Sequence, residues 1–461
     1  MKGIYDYIIV GAGPAGCAAA TRAGAYGLSV LVIDEQQIPG GQIYRTLERT
    51  DARRMAILGK DYQHGRSLIE ALHRSKADYL PRAMVWQLTP DAEVYYLCDQ
   101  KAGRISARRI LIATGAQERP VPIPGWTLPG VMGAGAMDVL FKSSAMVPEG
   151  KVVLAGTGPL LYLVTCHLAE CGVDVKAVLD TRAVGDYIKA VPWLPRAMQA
   201  PEYLFKGLRM RAQILRRRIP YFRAVRDLRA CGSNRVGAVS FKQNGQTHSI
   251  EADLLLLHDG VVPNTQMTRQ LECDHVWDPV QRYWKPKLDR WGNTSITNIS
   301  VAGDTSGIYG AKSAHIAGEL AAVDTAFCLG AISSREKEKT ALLLQKQLER
   351  ERAIRPFLDA LFQPHPEFYR PVNDDTIVCR CEEITAGQIR ETAALGGLGP
   401  NQIKAQIRSG MGPCQGRMCG LTVSEIIADV HLLEMPDVGY FHIRPPLKPI
   451  HLHALASMEI D

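Results

Sequence analysis

Unbroken apolar runs alternate with glycine-rich turns at the start of the chain. Residues 7–10 are all apolar, which is typical of a parallel strand buried on both faces. A glycine-rich hexapeptide at residues 11–16 follows, and an alanine-rich stretch then predicts a helix to about Tyr26. A second apolar strand is predicted from Ser29 to Ile33, where residues 30–33 are all apolar. The pattern predicts strand, turn, helix and strand, which we call the first unit.

The same order recurs between residues 151 and 180, in what we call the second unit. Residues 152–154 predict a strand, and a second glycine-rich turn follows at residues 156–161. A helix is expected to about Cys171, and residues 173–179 predict the next strand. The chain therefore contains two tandem strand–turn–helix–strand units.

The residues of the first turn match a dinucleotide-binding motif. Gly11 allows the tight turn, Gly13 lets the backbone approach a pyrophosphate, and Gly16 lets the helix pack close to the strand. The helix N-terminus offers unpaired N–H groups to phosphates. Asp34, followed by Glu35, lies 23 residues after Gly11, where an acid binds ribose hydroxyls. The strand, the turn, the helix and the acid all match the dinucleotide-binding motif. The first unit is therefore expected to bind a dinucleotide.

The second turn keeps Gly156 and Gly158, but Leu161 replaces the third glycine. A leucine there separates the helix from the strand and narrows the phosphate site. The second unit is expected to have the same local fold, and whether it holds a nucleotide stays open at this point.

Further motifs carry a resemblance to the glutathione-reductase-like superfamily, within its thioredoxin-reductase-like branch, over about residues 4–330. They are the segment 39–42, the strand and turn at 110–116, and the strand at 299–304 with the helix that follows it. The resemblance implies FAD in the first unit and an inserted nicotinamide-type domain. It places Gln42 near the flavin, lets Thr114 and Gly115 line the site, and puts Gly303 and Asp304 at the ribityl or phosphate region. Asp304 is also interpreted as the N-cap of the helix that follows.

Composition narrows the class of protein. A chain of 461 residues with 46% hydrophobic and 22% charged residues is globular and long enough for about three domains. The formal net charge of +7 is too small to indicate nucleic-acid binding. No apolar run reaches the length of a membrane span. Eleven cysteines, an odd number, favour a reducing cytoplasm.

Four of the cysteines lie in two close pairs near the C-terminus: Cys379, Cys381, Cys414 and Cys419. Glycines around the second pair free backbone N–H groups to face negatively charged sulfur. A [2Fe-2S] cluster takes four thiolates with varied spacing. Zinc, which prefers a longer spacing in the first pair, and buried thiols paired by chance are the alternatives.

This segment resembles the helical domain of bacterioferritin-associated ferredoxin, with a longer second pair like that of the version fused to amine-oxidising flavoproteins. Nearly the whole chain resembles the α (A) subunit of heteromeric dehydrogenases of the opine oxidase, D-hydroxyproline dehydrogenase and hydrogen cyanide synthase type. The fold expected is α/β, with two tandem Rossmann-like dinucleotide-binding domains and a small C-terminal helical [2Fe-2S] domain. The expected divisions are 1–115 with 250–330 for FAD, 116–249 for the second unit, a helical linker at 331–372, a [2Fe-2S] domain at 373–435 and a tail at 436–461.

The resemblance implies a partner β subunit of the D-amino-acid-oxidase type, which oxidises the substrate at its own FAD. It also implies FMN at a subunit interface and, in some members, a small ferredoxin-like γ chain. The chain is then an electron-relay subunit of an opine, D-hydroxyproline or glycine-type dehydrogenase. A location in the cytoplasm is expected, with peripheral membrane association through the complex.

Two rival hypotheses remain. One is a self-contained NAD(P)H-dependent reductase, and the other is a scaffold whose second unit holds a structural nucleotide. His258 and His315 are interpreted as structural rather than catalytic. The arginine-rich segment 206–229 is interpreted as a solvated helix, with a docking face for an acidic partner as the alternative.

Overall fold

The computed structural model describes residues 3–458. Its strands are β1 (Ile4–Val10), β2 (Val30–Ile33), β3 (Asp78–Leu80), β4 (Ala83–Leu88), β5 (Glu93–Cys98), β6 (Lys101–Ile112), β7 (Ala116–Glu118), β8 (Val131–Gly133), β9 (Lys151–Thr157), β10 (Asp174–Asp180), β11 (Tyr221–Phe222), β12 (Arg226–Cys231), β13 (Ala238–Gln243), β14 (Gln246–Glu251), β15 (Leu254–Asp259), β16 (Val261–Pro263), β17 (His275–Asp278), β18 (Tyr283–Pro286), β19 (Ile299–Val301), β20 (Ile377–Cys379) and β21 (Ile384–Thr385).

Its α-helices are α1 (Pro14–Ala25), α2 (Ala52–Gln63), α3 (Gly65–Arg74), α4 (Ala134–Ser144), α5 (Pro159–Glu170), α6 (Val184–Ala190), α7 (Leu194–Ala197), α8 (Pro201–Arg216), α9 (Gln266–Gln270), α10 (Ala311–Cys328), α11 (Ser334–Arg352), α12 (Arg355–Leu361), α13 (Pro366–Tyr369), α14 (Ala386–Ala394), α15 (Pro400–Ile407), α16 (Gly420–His431), α17 (Met435–Val438) and α18 (Leu452–Ala456). Short 3-10 helices lie at Leu47–Arg49, Val191–Trp193 and Gly303–Ser306. In residues 3–458, no helix is both long and apolar enough to cross a bilayer.

The first unit is part of a seven-stranded sheet, and we keep its name for the whole of this sheet and its helices. The strand order is β3-β2-β1-β6-β5-β4, and β19 also pairs with β6. β1 pairs in parallel with β2 and with β6, as its continuous apolar run predicts. α1 and α10 pack closely because α10 carries Gly318, where a Cβ atom would lie 2.1 Å from the carbonyl oxygen of Ala15. The predicted strand, turn, helix and strand are confirmed here.

The second unit is a parallel five-stranded sheet in the order β11-β10-β9-β15-β8. Its strand β15 lies between β9 and β8, so residues 254–259 belong to this sheet. The boundary expected between residues 249 and 250 is therefore too early, because the last strand of the unit comes after the hairpin of β13 and β14. The chain returns to the first unit through β16, which pairs with β7.

The basic segment 206–229 is not a single helix. α8 ends at Arg216, and the remaining arginines lie in the turn that follows it, in the loop after β11 and in β12. The helical segment expected at 331–372 is present as α11, α12 and α13, and Pro356 lies in the first turn of α12.

The C-terminal domain combines the β20–β21 pair with α14, α15, α16 and α17. α14 and α15 lie between the two pairs of cysteines along the chain. The apolar core of this domain is continuous with that of the first sheet. Residues after 435 are part of it, since Phe441 and Leu447 are buried and Leu447 N–H donates to Trp86 O at 2.8 Å. The expected tail is thus packed onto the first unit.

Candidate functional site

The first glycine-rich turn has the tight geometry that a dinucleotide site needs. Gly11 has φ of +108°, and a Cβ atom there would lie 2.5 Å from the carbonyl oxygen of Ala113. A Cβ on Gly16 would lie 1.8 Å from the carbonyl oxygen of Gly11. Gly13 precedes α1 directly and faces Gly41, which has φ of +63°. The turn therefore presents bare backbone at the N-terminus of α1, where phosphates bind.

Asp34 lies at the end of β2, beside this turn. Its carboxylate accepts hydrogen bonds from Ala12 N–H at 2.5 Å and Gln36 N–H at 2.6 Å. Burial raises the pKa of Asp34 above its ordinary value. The side chain thus fixes the turn at the position where a ribose is expected. Glu35 instead forms an ion pair with Lys448 of the C-terminal region.

Other predicted flavin-site residues lie around the carboxyl end of the first sheet. Gln42 follows the turn at Gly40 and Gly41, and its side chain accepts a hydrogen bond from Arg45 at 3.0 Å. The hydroxyl of Thr114 lies 3.3 Å from that of Thr305. Gly115 has φ of +68°, and its carbonyl accepts a hydrogen bond from Asn264 N–H at 3.0 Å.

Gly303 and Asp304 lie in the 3-10 helix before α10. Gly303 has φ of +74°, and a Cβ there would lie 3.0 Å from Cβ of Ala15, next to the first turn. Asp304 accepts hydrogen bonds from Tyr309 N–H and Gly310 N–H, both at 3.0 Å. The N-cap of α10 is Gly310, so the expected N-cap role for Asp304 is wrong. Asp304 instead holds the loop that leads into α10.

The second glycine-rich turn is filled by a side chain of the protein itself. A Cβ on Gly156 would lie 1.8 Å from the carbonyl oxygen of His258, and a Cβ on Gly158 would lie 2.9 Å from the His258 ring. The ring is fixed from its other side, since Nδ1 of His258 lies 2.6 Å from a carboxylate oxygen of Glu118. These glycines therefore make room for a buried histidine. Leu161 is fully packed in the core of this unit.

The acid at the end of β10 already has partners within the chain. Asp180 accepts hydrogen bonds from Nε of Arg182 at 3.0 Å and from the hydroxyl of Tyr162 at 3.1 Å, and Tyr221 donates to it as well. Arg182 is buried and stacks over the ring of Phe362, 4.6 Å from its centroid. Burial raises the pKa of Asp180 to about 6. With Asp180 engaged in this way, the second unit does not fit a dinucleotide whose ribose binds to that acid.

The four C-terminal cysteines come together as two pairs. The thiol of Cys419 hydrogen-bonds to that of Cys379, and this bond lowers the pKa of Cys379 to about 6. Cys381 and Cys414 form the other pair. Across residues 3–458, no group of three or more His, Cys, Asp or Glu side chains is close enough to hold a single metal ion. Two thiol pairs fit two irons, whereas zinc would bring four sulfur atoms around one centre.

The two pairs differ in their exposure to solvent. Cys379 and Cys419 are buried, and Cys379 Sγ accepts a hydrogen bond from Gly410 N–H at 3.5 Å. Cys381 is exposed and Cys414 is half-buried. Cys419 is also the N-cap of α16, and its hydrogen bond to Cys379 together with its burial raises its pKa. A cluster held here would have one buried and one accessible side.

The loop between Cys414 and Cys419 packs against β7 and α9. Gln117 of β7 donates to Arg417 O at 2.9 Å, and Gln266 lies 3.5 Å from Gln415 O. Trp126 Nε1 donates to Ile377 O at 2.7 Å, two residues before Cys379. This loop therefore lies next to the segment that contacts Gly115.

Sequence reasoning missed several residues of this site. Arg182, Glu118 and Arg417 have structural roles that depend on distant partners. The signal for Arg182 in the sequence is its place two residues after Asp180, the acid at the end of β10. Arg417 joins the cysteine loop to the C-terminal residues, since it donates to Cys414 O at 3.0 Å and Leu447 O at 2.8 Å.

Two known protein families match this chain, one over the two sheets and the other over the C-terminal domain. Residues 5–321 match the pyridine nucleotide-disulphide oxidoreductase family, and residues 377–429 match the BFD-like [2Fe-2S] binding domain. The second match includes all four paired cysteines. Among solved structures, L-proline dehydrogenase from P. horikoshii has a TM-score of 0.71 at 18% identity, covering 98% of this chain and 79% of that one. A thioredoxin reductase from T. acidophilum covers 70% of this chain and 98% of that one, with a TM-score of 0.51 at 19% identity.

Curated relatives match over the full length. The A subunit of opine oxidase from Rhizobium meliloti is 41% identical over 99% of this chain and 88% of that protein. The Agrobacterium tumefaciens protein of the same name is 40% identical over 99% of this chain and 92% of its own length. Hydrogen cyanide synthase subunit HcnB of Pseudomonas aeruginosa is 30% identical over 98% of each chain.

These relatives are oxidoreductase subunits of heteromeric complexes, and they support a flavin and [2Fe-2S] subunit of a dehydrogenase. The chain belongs to the pyridine nucleotide-disulphide oxidoreductase family, and within it to the group formed by HcnB and the A subunits of opine oxidases.

Proposed function

We propose that this chain is the electron-relay subunit of an amine or imino-acid dehydrogenase of opine, D-hydroxyproline or glycine type. It receives electrons from a partner flavin subunit of the D-amino-acid-oxidase type and passes them to an acceptor. The names of the relatives support a complex of several subunits.

One observation carries the proposal, namely the contact between the cysteine loop and the predicted flavin site. The loop from Cys414 to Cys419 contacts the segment 264–266. Asn264 in that segment donates its N–H to Gly115 O. The segment 264–266 thus contacts both the cysteine loop and the predicted flavin site, which favours electron transfer between the two candidate centres.

We assign FAD to the first unit and [2Fe-2S] to the cysteine pairs. A bound flavin accepts two electrons and a cluster passes on one at a time, so together they convert two-electron chemistry into single-electron steps. The residues that would hold FAD are Gly11, Gly13, Gly16, Asp34, Gln42, Thr114, Gly115, Gly303 and Asp304, with Glu35 beside them. The cluster ligands would be Cys379, Cys381, Cys414 and Cys419.

The histidines considered as substrate bases have structural partners. His258 is buried against Glu118, and His315 lies 4.0 Å from Glu319 one turn along α10. Burial lowers the pKa of His315 below its ordinary value. These contacts favour substrate oxidation in another subunit. We also propose a cytoplasmic location, which the odd number of cysteines supports. FMN at a subunit interface and a small γ subunit are proposed as well, and these two rest on the family resemblance alone.

The chain purified alone is expected to carry flavin and iron but to leave opines, D-hydroxyproline and glycine unoxidised. Addition of the partner subunit is expected to restore dye reduction by one of these substrates. The measurement is substrate-dependent reduction of an artificial electron acceptor. Oxidation by the isolated chain, at the rate of the complex, would contradict the relay role.

The alternative function is a self-contained NAD(P)H-dependent reductase, and the second unit argues against it. Arg182 pairs with Asp180, and His258 fills the turn at Gly158. NADH and NADPH are therefore expected to leave the flavin absorbance of the anaerobic chain unchanged in stopped-flow mixing, with dithionite as the control for a reducible flavin. Bleaching within milliseconds would favour the reductase instead.

A further inference from the structure

Arg269 of α9 carries a positive charge that no acidic side chain neutralises in the described part of the chain, residues 3–458. Its Nε and Nη2 atoms are buried, and neither has a hydrogen-bond partner there. Burial lowers the pKa of Arg269 to about 10, so the guanidinium is still charged at pH 7. A buried cation without a partner opposes folding, and packing alone therefore does not explain this arginine.

Two aromatic rings hold the guanidinium in place. Its central carbon lies 4.3 Å from the ring centroid of Tyr440 and 5.2 Å from that of Trp284. Such contacts stabilise a cation only in part. The nearby His275 is neutral, since burial and the charge of Arg269 lower its pKa to about 3. These side chains fix the position of Arg269 and leave its charge uncompensated.

The space beside these rings is too small for an anionic ligand. A cavity of about 20 Å³ is lined by Gln266, Trp284 and Tyr440, among other residues. This volume admits one water molecule, but no carboxylate or phosphate compound. A small molecule in this cavity is therefore not expected to neutralise Arg269.

Arg269 lies close to the cysteine loop, the loop between Cys414 and Cys419. Tyr440, whose ring contacts the guanidinium, donates its hydroxyl to Gly416 O of this loop at 3.2 Å. The helix of Arg269 begins in the segment 264–266, which contacts the cysteine loop and the predicted flavin site. The unpaired cation thus lies beside the place where an anionic cluster is expected.

We propose that Arg269 is a charge-compensating residue of the electron relay, which stabilises the reduced form of a cluster held by the four paired cysteines. A [2Fe-2S] cluster with four thiolate ligands is anionic, and the addition of one electron increases its negative charge without making or breaking a bond. A fixed cation nearby stabilises the reduced cluster more than the oxidised one, and so raises its reduction potential. This inference rests on the proposed function, because it requires the assigned cluster.

The test is an anaerobic redox titration of the full-length protein, in which dithionite supplies the electron and electron paramagnetic resonance detects the reduced cluster. Arg269→Met keeps most of the side-chain length but removes the charge. This variant is expected to lower the equilibrium constant for cluster reduction roughly tenfold, which is about 59 mV for one electron. Arg269→Lys retains the charge and is expected to keep most of the potential of the parent. Arg269→Gln is a second neutral variant.

The matched control is Arg352→Met in α11. Burial also lowers the pKa of Arg352, and its guanidinium carbon lies 4.0 Å from the ring centroid of Tyr309. Its partners Tyr309 and Ser313 belong to the first unit and not to the C-terminal domain. This variant is expected to leave the cluster potential unchanged. Iron content per chain and thermal unfolding report whether each variant keeps its cluster and its fold.

An unchanged potential in a neutral variant of Arg269 that keeps its iron would overturn the inference. An equal shift in Arg352→Met, or in Arg269→Lys, would overturn it too and would indicate a packing role. Loss of iron from both neutral variants but not from Arg269→Lys would support it, because the charge would then be needed to hold the anionic cluster. A parent protein without iron and without the resonance signal would contradict the cluster assignment itself, and this inference with it.

Discussion

Replacement of Cys419 by serine is expected to remove the visible absorbance of the cluster and to lower the stability of the C-terminal domain. Cys419 is fully buried, pairs with Cys379 and precedes α16. A serine hydroxyl is a poor substitute for a thiolate at iron, which prefers soft ligands in such clusters. Its burial without a full set of partners costs about 1–3 kcal/mol, in addition to the lost stabilisation by bound metal.

Cys381→Ser gives the informative contrast. Cys381 is exposed, so this variant is also expected to lose the cluster, but at a smaller loss of stability in the metal-free protein. Cys328→Ser is the control, because Cys328 is exposed on α10 in the first unit, outside the paired cysteines. The measurements are iron content per chain, visible spectra and thermal unfolding. Two irons per chain in Cys419→Ser, or zinc in place of iron in the anaerobically purified parent, would contradict the assignment.

Features that depend only on residues close together in the chain could be predicted from the sequence. The apolar run of β1, the turn at residues 11–16 and the start of α1 are local, and each was predicted. The helices α14 and α15 are local features of the same kind, since they follow residues of the capping and turn types. Such elements are determined by backbone preferences and by apolar periodicity within about twenty residues.

Features that depend on contacts between residues far apart in the chain could not be predicted from the sequence. β15 belongs to the second sheet because it pairs with β9, about a hundred residues earlier, so the domain boundary at 249/250 was misplaced. The cysteines form adjacent pairs in sequence, yet Cys379 pairs with Cys419 and Cys381 with Cys414. The chain order carries no information about which thiols meet after folding.

The side chains that fill the glycine-rich turn of the second unit also come from distant parts of the chain. Asp180 and Arg182 are neighbours, but the hydroxyl of Tyr221 that completes their network comes from the next strand. His258, which fills the second turn, comes from β15. From Leu161 alone, the sequence could not decide whether the second unit binds a nucleotide. The packed side chains of His258, Asp180 and Arg182 disfavour such binding. The two units thus share a local fold while only the first keeps an open turn.

Gly16→Ala is expected to cause the largest loss in the first unit. The added Cβ would lie 1.8 Å from the carbonyl oxygen of Gly11, a backbone atom that cannot move without opening the turn. Separating α1 from β1 is expected to destabilise the chain by about 2–3 kcal/mol. Because the same turn presents the backbone N–H groups of the proposed phosphate site, flavin occupancy is expected to fall roughly tenfold or more.

Two further glycines separate loss of flavin from general destabilisation. Gly156→Ala meets the carbonyl oxygen of His258 at 1.8 Å, so it is expected to destabilise the second unit similarly while flavin is retained. Gly207→Ala lies inside α8 with no neighbouring atom within 4 Å, and is expected to stabilise that helix by about 0.5–1 kcal/mol. Flavin-to-protein ratios and denaturant unfolding measure both effects. Full flavin content in Gly16→Ala would contradict the assignment of the flavin to the first unit. Loss of flavin in Gly156→Ala but not in Gly16→Ala would contradict it as well.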